Sequence, residues 1–174
     1  MSSPTPSASD SRWKIVRITQ FANVLLIALV SGVLWGTWFS LGRSIETFSA
    51  DVFLSIGQAM IHNLAVPMRV LMPLTMVSFI VLLYLLWHQR TSKAFVLTAA
   101  ALFFMLATIA ITLIVEVPID NQIKTWTVHT LPANWQALRS HWEAYHTLRT
   151  MTGLVSLGCA VAGAFLSRSV SKKG

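Results

Sequence analysis

The sequence predicts an all-α polytopic membrane protein: a four-transmembrane-helix bundle with amphipathic helical segments on its non-cytoplasmic side. Three observations carry this expectation. Hydrophobic residues make up 55% of the 174-residue chain and charged residues only 11%, against about 25% charged in soluble domains. The apolar residues gather in four runs, each near the roughly 20 residues that cross a hydrocarbon core. Lysine and arginine collect at the ends of those runs rather than along them, as expected of residues that set orientation in a bilayer.

The chain divides in order. Residues 1–11 are rich in serine and proline and read as a disordered tail, leaving 12–174 as one membrane domain. Arg12, Lys14 and Arg17 precede a first span at about 18–41, too long and too poorly followed by a cleavage site to be a signal peptide. Within it Ala28, Gly32, Gly36 and Ser40 recur every fourth residue, a small-residue ridge suited to the close approach of another helix. Residues 43–67 are too polar for a clean span. Pro67 and Pro73 bracket the start of the second span at 70–87, a short basic turn follows, and the third span occupies 94–117 and ends at Pro118. A second polar segment, 118–149, leads into the last span at 150–166.

Orientation follows from counting. Three Lys/Arg flank the first span, two lie in the turn with Arg90 and Lys93, and three close the chain at Arg168, Lys172 and Lys173. Only Arg43, Arg69, Lys124, Arg139 and Arg149 lie in the two long connections. The positive-inside rule then puts both termini in the cytoplasm, in the cytoplasmic membrane, with both polar segments together on the other side.

Several function classes are set aside. The net charge of +7 is not gathered into the patch or stripe that nucleic acid needs, so the lipid bilayer is the expected partner and nucleic acid is not. The single cysteine, Cys159, lies in an apolar run, which excludes CxxC redox chemistry. No nucleophile elbow or glycine-rich phosphate loop appears. With no charge in mid-span, transport is disfavoured.

The chemistry-bearing residues concentrate in Glu116–Arg149. Besides Glu116, this stretch holds two acidic residues, three of the seven tryptophans and three of the five histidines. On a helix Trp135, Arg139, Trp142, His146 and Arg149 share one face within roughly 80°. Such a stripe suits a lined pocket, although an interfacial belt of tryptophan and snorkelling arginine has the same pattern. Asp51, Ser55, Gln58 and His62 repeat the spacing 84 positions earlier, as two copies of one unit would. Glu116 stands at the outer end of the third span, where desolvation would strengthen it as a base. Its bland alternative is an ion pair with Arg149 or Arg139. Asn121 either caps a following helix at 122–128 or donates to a developing oxyanion. His62 and His146 each end a polar stripe and precede a span. Each could act as a general base, or both could ligate a metal or haem. No HxxH, HxH or ExxH spacing supports a metal site on one helix. Trp142 and Tyr145 flank the His146 turn and could stack on an aromatic ligand.

The patterns V-P-I-D-N-x-I (117–123), P-x-N-W (132–135) and W-x-x-x-H-x-x-R (142–149) resemble the anthrone oxygenase-like membrane family. Fungal members of that family convert anthrones to anthraquinones with molecular oxygen and without a recognised metal or flavin. The resemblance implies a four-span fold, no cofactor, and Asn121, Trp142, His146 and Arg149 as the corresponding positions. It further implies a small aromatic or polyketide-like substrate, stacked on Trp142 or Tyr145; Trp135 and His62, read from their stripes and not from the family pattern, are further candidates to line the site. His146, with Glu116, would remove a proton, and Asn121 and Arg149 would hold the oxyanion. The rival expectations are a metal- or haem-binding redox protein using His62 and His146, and a non-enzymatic membrane subunit.

Overall fold

The computed structural model describes residues 8–170. The first seven positions of the expected tail, and Lys172 and Lys173 of the basic C-terminal flank, lie outside the described residues. From Ala8 the chain is helical. The elements are α1 (Ala8–Ser40), a 3-10 turn (Gly42–Thr47), α2 (Ala50–Leu86), a 3-10 turn (Trp87–Gln89), α3 (Lys93–Ile111), a π-helical turn (Thr112–Glu116), α4 (Val117–Ile123) and α5 (Trp135–Val170). There is no strand among the described residues, and four helical stretches are long and apolar enough to cross a membrane.

The polar segments are not separate surface helices. At 1.5 Å per residue, the 37 residues of α2 and the 36 of α5 reach about 55 Å, well beyond a hydrocarbon core of about 30 Å. Residues 50–67 and 135–149 of the polar stretches are therefore continuous with the second and fourth spans. Pro67 and Pro73 were expected to mark a helix start, yet α2 runs through both. Each removes one backbone donor, a loss that membrane helices tolerate where neighbours or side chains serve the freed carbonyls. The third span likewise continues past Pro118. Proline cannot donate to the carbonyl four residues back, and its ring crowds that carbonyl. The helix widens instead: Val117 N–H bonds Thr112 O, a π-type closure, and α4 continues with Pro118 in its first turn. The expected helix at 122–128 does not form. Asn121 lies inside α4, which ends at Ile123, and Thr127 and Thr130 hold the following turn with hydroxyl and backbone bonds.

Three apolar layers stack along the bundle. Val16, Leu82 and Leu86 close the end that carries the termini. Ile27, Val30, Leu34, Met72, Phe79, Ala101 and Met105 fill the middle. Ile45, Phe53, Leu54, Ile61, Ile119, Ile123 and Trp142 form the opposite end. Residues such as Phe21, Val77, Phe103 and Ile114 are exposed, the apolar surface that lipid covers.

Polar rungs pin the helices where apolar contact alone would leave register free. Gln20 and Ser167 exchange hydrogen bonds at 2.8 and 3.0 Å between α1 and α5. Asn23 donates to Ser78 of α2 at 2.8 Å, and Ser156 donates to Ala101 O of α3 at 2.7 Å. The Gly32–Gly36 ridge was expected to receive a neighbouring helix, but among the described residues nothing would come within 4 Å of a Cβ added at either glycine. The close approach falls one face away, where Ser31 donates to Gly153 O at 3.0 Å and a Cβ on Gly153 would sit 3.4 Å from Leu34.

Candidate active site

Glu116 ends the π-helical turn and is completely buried. Widened turns of this kind recur at functional sites because they re-aim a side chain out of helical register. Here the turn sends a carboxylate into the interior. Arg149 of α5 meets it, with Nη2 at 3.0 Å from Oε2. The contact is an ion pair without hydrogen-bond alignment, and Oε1 has no partner. A buried carboxylate oxygen left unpaired is costly, and such sites in native proteins often carry a function.

The second arm of Arg149 fixes the histidine. Nε donates to His146 Nδ1 at 3.0 Å. An arginine has no acceptor, so Nδ1 is the acceptor, and the proton of the neutral ring sits on Nε2. That N–H faces Thr37 Oγ of α1 at 3.0 Å. The Thr37 hydroxyl in turn donates to the Val33 and Leu34 carbonyls, both at 3.0 Å. The result is one directional chain across three helices: Glu116 of the π turn, Arg149 and His146 of α5, Thr37 of α1. Its hydrogen-bond direction makes His146 a donor toward Thr37. The lone pair that a general base would use is occupied by Arg149.

The surroundings explain this order. The α5 stripe faces inward, with Arg139, Trp142 and His146 between 4% and 7% exposed. Trp142 stacks on His146 one turn away, centroids 5.9 Å apart and planes at 12°, while its Nε1 donates to Asp120 at 3.0 Å. Trp142 is therefore held as a wall that orients the imidazole. Beside the chain, Trp38 Nε1 donates to Thr147 Oγ at 2.8 Å and Thr147 donates to Glu143 at 3.3 Å, which fixes α1 against α5 at the height of Thr37. Arg139 has a structural role. It donates to Phe48 O and Glu46 O at 3.0 and 2.9 Å and lies over the Trp135 ring at 4.9 Å, clamping the end of the first 3-10 turn.

The remaining sequence candidates lie outside the chain of bonds. Asn121 is exposed and accepts from Lys124 at 3.2 Å; its neighbour Asp120 is the residue that reaches Trp142. Tyr145 is half-buried against His141, centroids 4.7 Å apart. Trp135 packs on Phe53. His62 is exposed on α2 whereas His146 is buried, and no three His, Cys, Asp or Glu side chains are grouped to hold a metal ion among the described residues. Sequence reasoning missed Thr37. It is one hydroxyl among several in the first span, and only the fold distinguishes it from Ser31 or Ser40.

Thr37 also faces outward. A cleft of about 490 Å³ between α1 and α2 is lined by Thr37 together with Ser55, Ile56, Ala59, Met60, Asn63 and Leu64. A second cleft, about 390 Å³, lies at the far end of the bundle among Arg12, Trp13, Leu86 and His88, remote from the buried pair.

No curated protein and no solved structure shows a significant match to the chain. The sequence model of one family, described as anthrone oxygenase, matches residues 60–159, a segment that holds Glu116, His146 and Arg149 but not Thr37. Because that match spans more than half of the 174 residues, taking in α3, α4 and most of α2 and α5 together with the buried Glu116, Arg149 and His146, the chain belongs to the anthrone oxygenase family.

Proposed function

We propose that this protein oxygenates a flat aromatic substrate with an activated C–H bond, using molecular oxygen and no cofactor. Glu116 is the proton acceptor, and Thr37 with His146 is the donor to the oxyanion. The observation that supports this best is the fully buried Glu116 with one unpartnered oxygen, ion-paired to the same arginine that fixes His146. A ring CH2 conjugated with a carbonyl loses a proton to Glu116, and the electron pair delocalises onto the carbonyl oxygen. The Thr37 hydroxyl turns from the Val33 and Leu34 carbonyls to that oxygen while still accepting from His146 Nε2, so the donors reinforce one another. With Glu116 neutralised, the Arg149 cation balances the new anion. The carbanion delivers its electrons to oxygen, a C–O bond forms, and the peroxide takes up a proton. Loss of the second C–H proton with cleavage of the O–O bond leaves a ketone and water, so CH2 and O2 become C=O and H2O.

The Lys/Arg distribution supports cytoplasmic termini in the cytoplasmic membrane, with the Glu116–Thr37 chain in the half of the bundle nearer the other side.

The test is oxygen uptake and anthrone consumption by protein in nanodiscs, corrected for the spontaneous reaction in empty discs. Glu116→Gln is expected to lower the enzymatic rate by about 10²–10⁴-fold, the range for a general base. His146→Ala is expected to lower it by about 10²–10³-fold, the range for a lost oxyanion donor. Unchanged oxidation in both variants would sink the mechanism.

A further inference from the structure

The cleft between α1 and α2 has no assigned role, and its chemistry is specific. Ser55 and Ala59 stand one turn apart on α2, and their small side chains leave the space open. From Ser55 to Leu64 the lining runs about 13 Å along the helix at 1.5 Å per residue, and the cleft is a shallow one, widely open to the surface, of about 490 Å³. Ile56, Ala59, Met60 and Leu64 make most of the wall apolar.

Three polar groups interrupt that wall, and they are not equivalent. Ser55 donates to Val52 O at 3.1 Å. Thr37 donates to backbone carbonyls and accepts from His146. Of the three, the Asn63 amide alone has neither donor nor acceptor engaged among the described residues, and it sits on a helix whose neighbouring exposed residues include Val66 and Val70. Being exposed, that amide is free to donate to and accept from a molecule lying in the cleft. Thr37 gives the cleft its direction, because it is the one lining residue that is also bonded to the buried chain.

We infer that this cleft receives the substrate from the bilayer: a flat, mostly apolar molecule whose carbonyl or phenolic oxygen bonds Asn63 while its reacting end passes Thr37 toward His146 and Glu116. The inference rests on the oxygenase reading for the identity of the reacting end, and on the cleft alone for where the molecule binds. Glu116 is closed to the surface, and Thr37 is the cleft residue joined to it through His146 and Arg149. Asn63 holds the ring system without touching the reacting atoms, so it governs binding and choice of substrate.

Binding and turnover separate the two readings. The probe is 1,8-dihydroxyanthraquinone, a stable tricyclic quinone, measured by equilibrium dialysis against nanodiscs with and without protein. The wild-type chain is expected to bind one probe saturably above the lipid background. Ala59→Trp, which fills the cleft, is expected to weaken binding at least tenfold. Asn63→Leu, of similar size, is expected to weaken it about tenfold by removing the amide, and to raise KM for an anthrone more than it lowers kcat. Glu116→Gln is expected to bind the probe as the wild type does while losing turnover. Saturable binding lost in Ala59→Trp and Asn63→Leu, with no oxygenation by any form, upholds the cleft and defeats the oxygenase reading. Saturable binding unchanged in Asn63→Leu, or no binding above empty discs, overturns the cleft whatever the activity. If Ala59→Trp does not fold, Asn63→Leu decides.

Discussion

Two stripes in this protein have the same spacing and opposite fates. Trp135, Arg139, Trp142 and His146 on α5, continued by Arg149, point into the bundle, and the middle three are almost fully buried. Asp51, Ser55, Gln58 and His62 on α2 recur at the same intervals, yet three of the four are exposed. The difference lies in what each helix offers on its other faces. On α2 the apolar set Phe53, Leu54 and Ile61 is 1–8% exposed; it claims the core and rotates the polar stripe roughly a third of a turn away. On the first turns of α5 the competing face is Gln136, Ala137, Ser140, His141 and Ala144, all exposed, which has little to gain from burial. The tryptophans carry the largest apolar area there, and they take Arg139 and His146 inward with them. Spacing tells which residues share a face. The rest of the helix decides where that face goes.

The largest expected effect distinguishes the stripes most sharply. Arg149→Ala leaves the Glu116 carboxylate buried without its counter-charge and removes the donor to His146 Nδ1. Breaking a buried pair by deleting one partner costs about 3–5 kcal/mol. His62→Ala removes an exposed side chain with no hydrogen bond among the described residues and is expected to stay within about 0.5 kcal/mol of wild type. Denaturant unfolding in detergent measures both. Equal, small effects would mean that the two stripes do not differ as their burial indicates.

A smaller effect tests how the inward stripe is held. Trp142→Phe keeps an aromatic ring against His146 but deletes the N–H that reaches Asp120 at 3.0 Å. Asp120 is half-buried, and an acceptor shielded from water costs about 1–3 kcal/mol when it loses its donor. A neutral outcome in the same unfolding measurement would show that ring stacking alone orients the imidazole.

Much of this is legible in the sequence. The spans, the all-helical class, the family resemblance and the shared face of the α5 stripe follow from apolar run length, period and motif. The pairing of Glu116 with Arg149 was one of two partners open to that carboxylate, and the structure selects it. Two parts were hidden, for physical reasons. Proline reads as a boundary in sequence, but Pro67 and Pro73 sit inside α2, and Pro118 is absorbed by a widened turn. Thr37 acts through a contact with a residue 109 positions away, which no local pattern encodes. His62 looked equivalent to His146 because its spacing is; its surroundings are not.

Gln58 is the one member of the α2 stripe that reaches across the molecule, and it gives the finest test of the comparison. Its amide nitrogen donates to Ile123 O and Trp126 O, each at 2.9 Å. These carbonyls lie at and just beyond the end of α4, where helical partners run out. Gln58→Ala frees both, and an ordinary hydrogen bond contributes about 1 kcal/mol net, with solvent able to replace part of that at a half-buried site. The cost is therefore expected to be about 1 kcal/mol, between those of Trp142→Phe and His62→Ala. It should also be local. Amide exchange across 124–130 is expected to quicken, because that turn loses its tie to α2, while amides of α5 around His146 keep their protection. Faster exchange at His146 as well would mean that the α2 stripe supports the inward one, and the two would then have to be treated as a single unit.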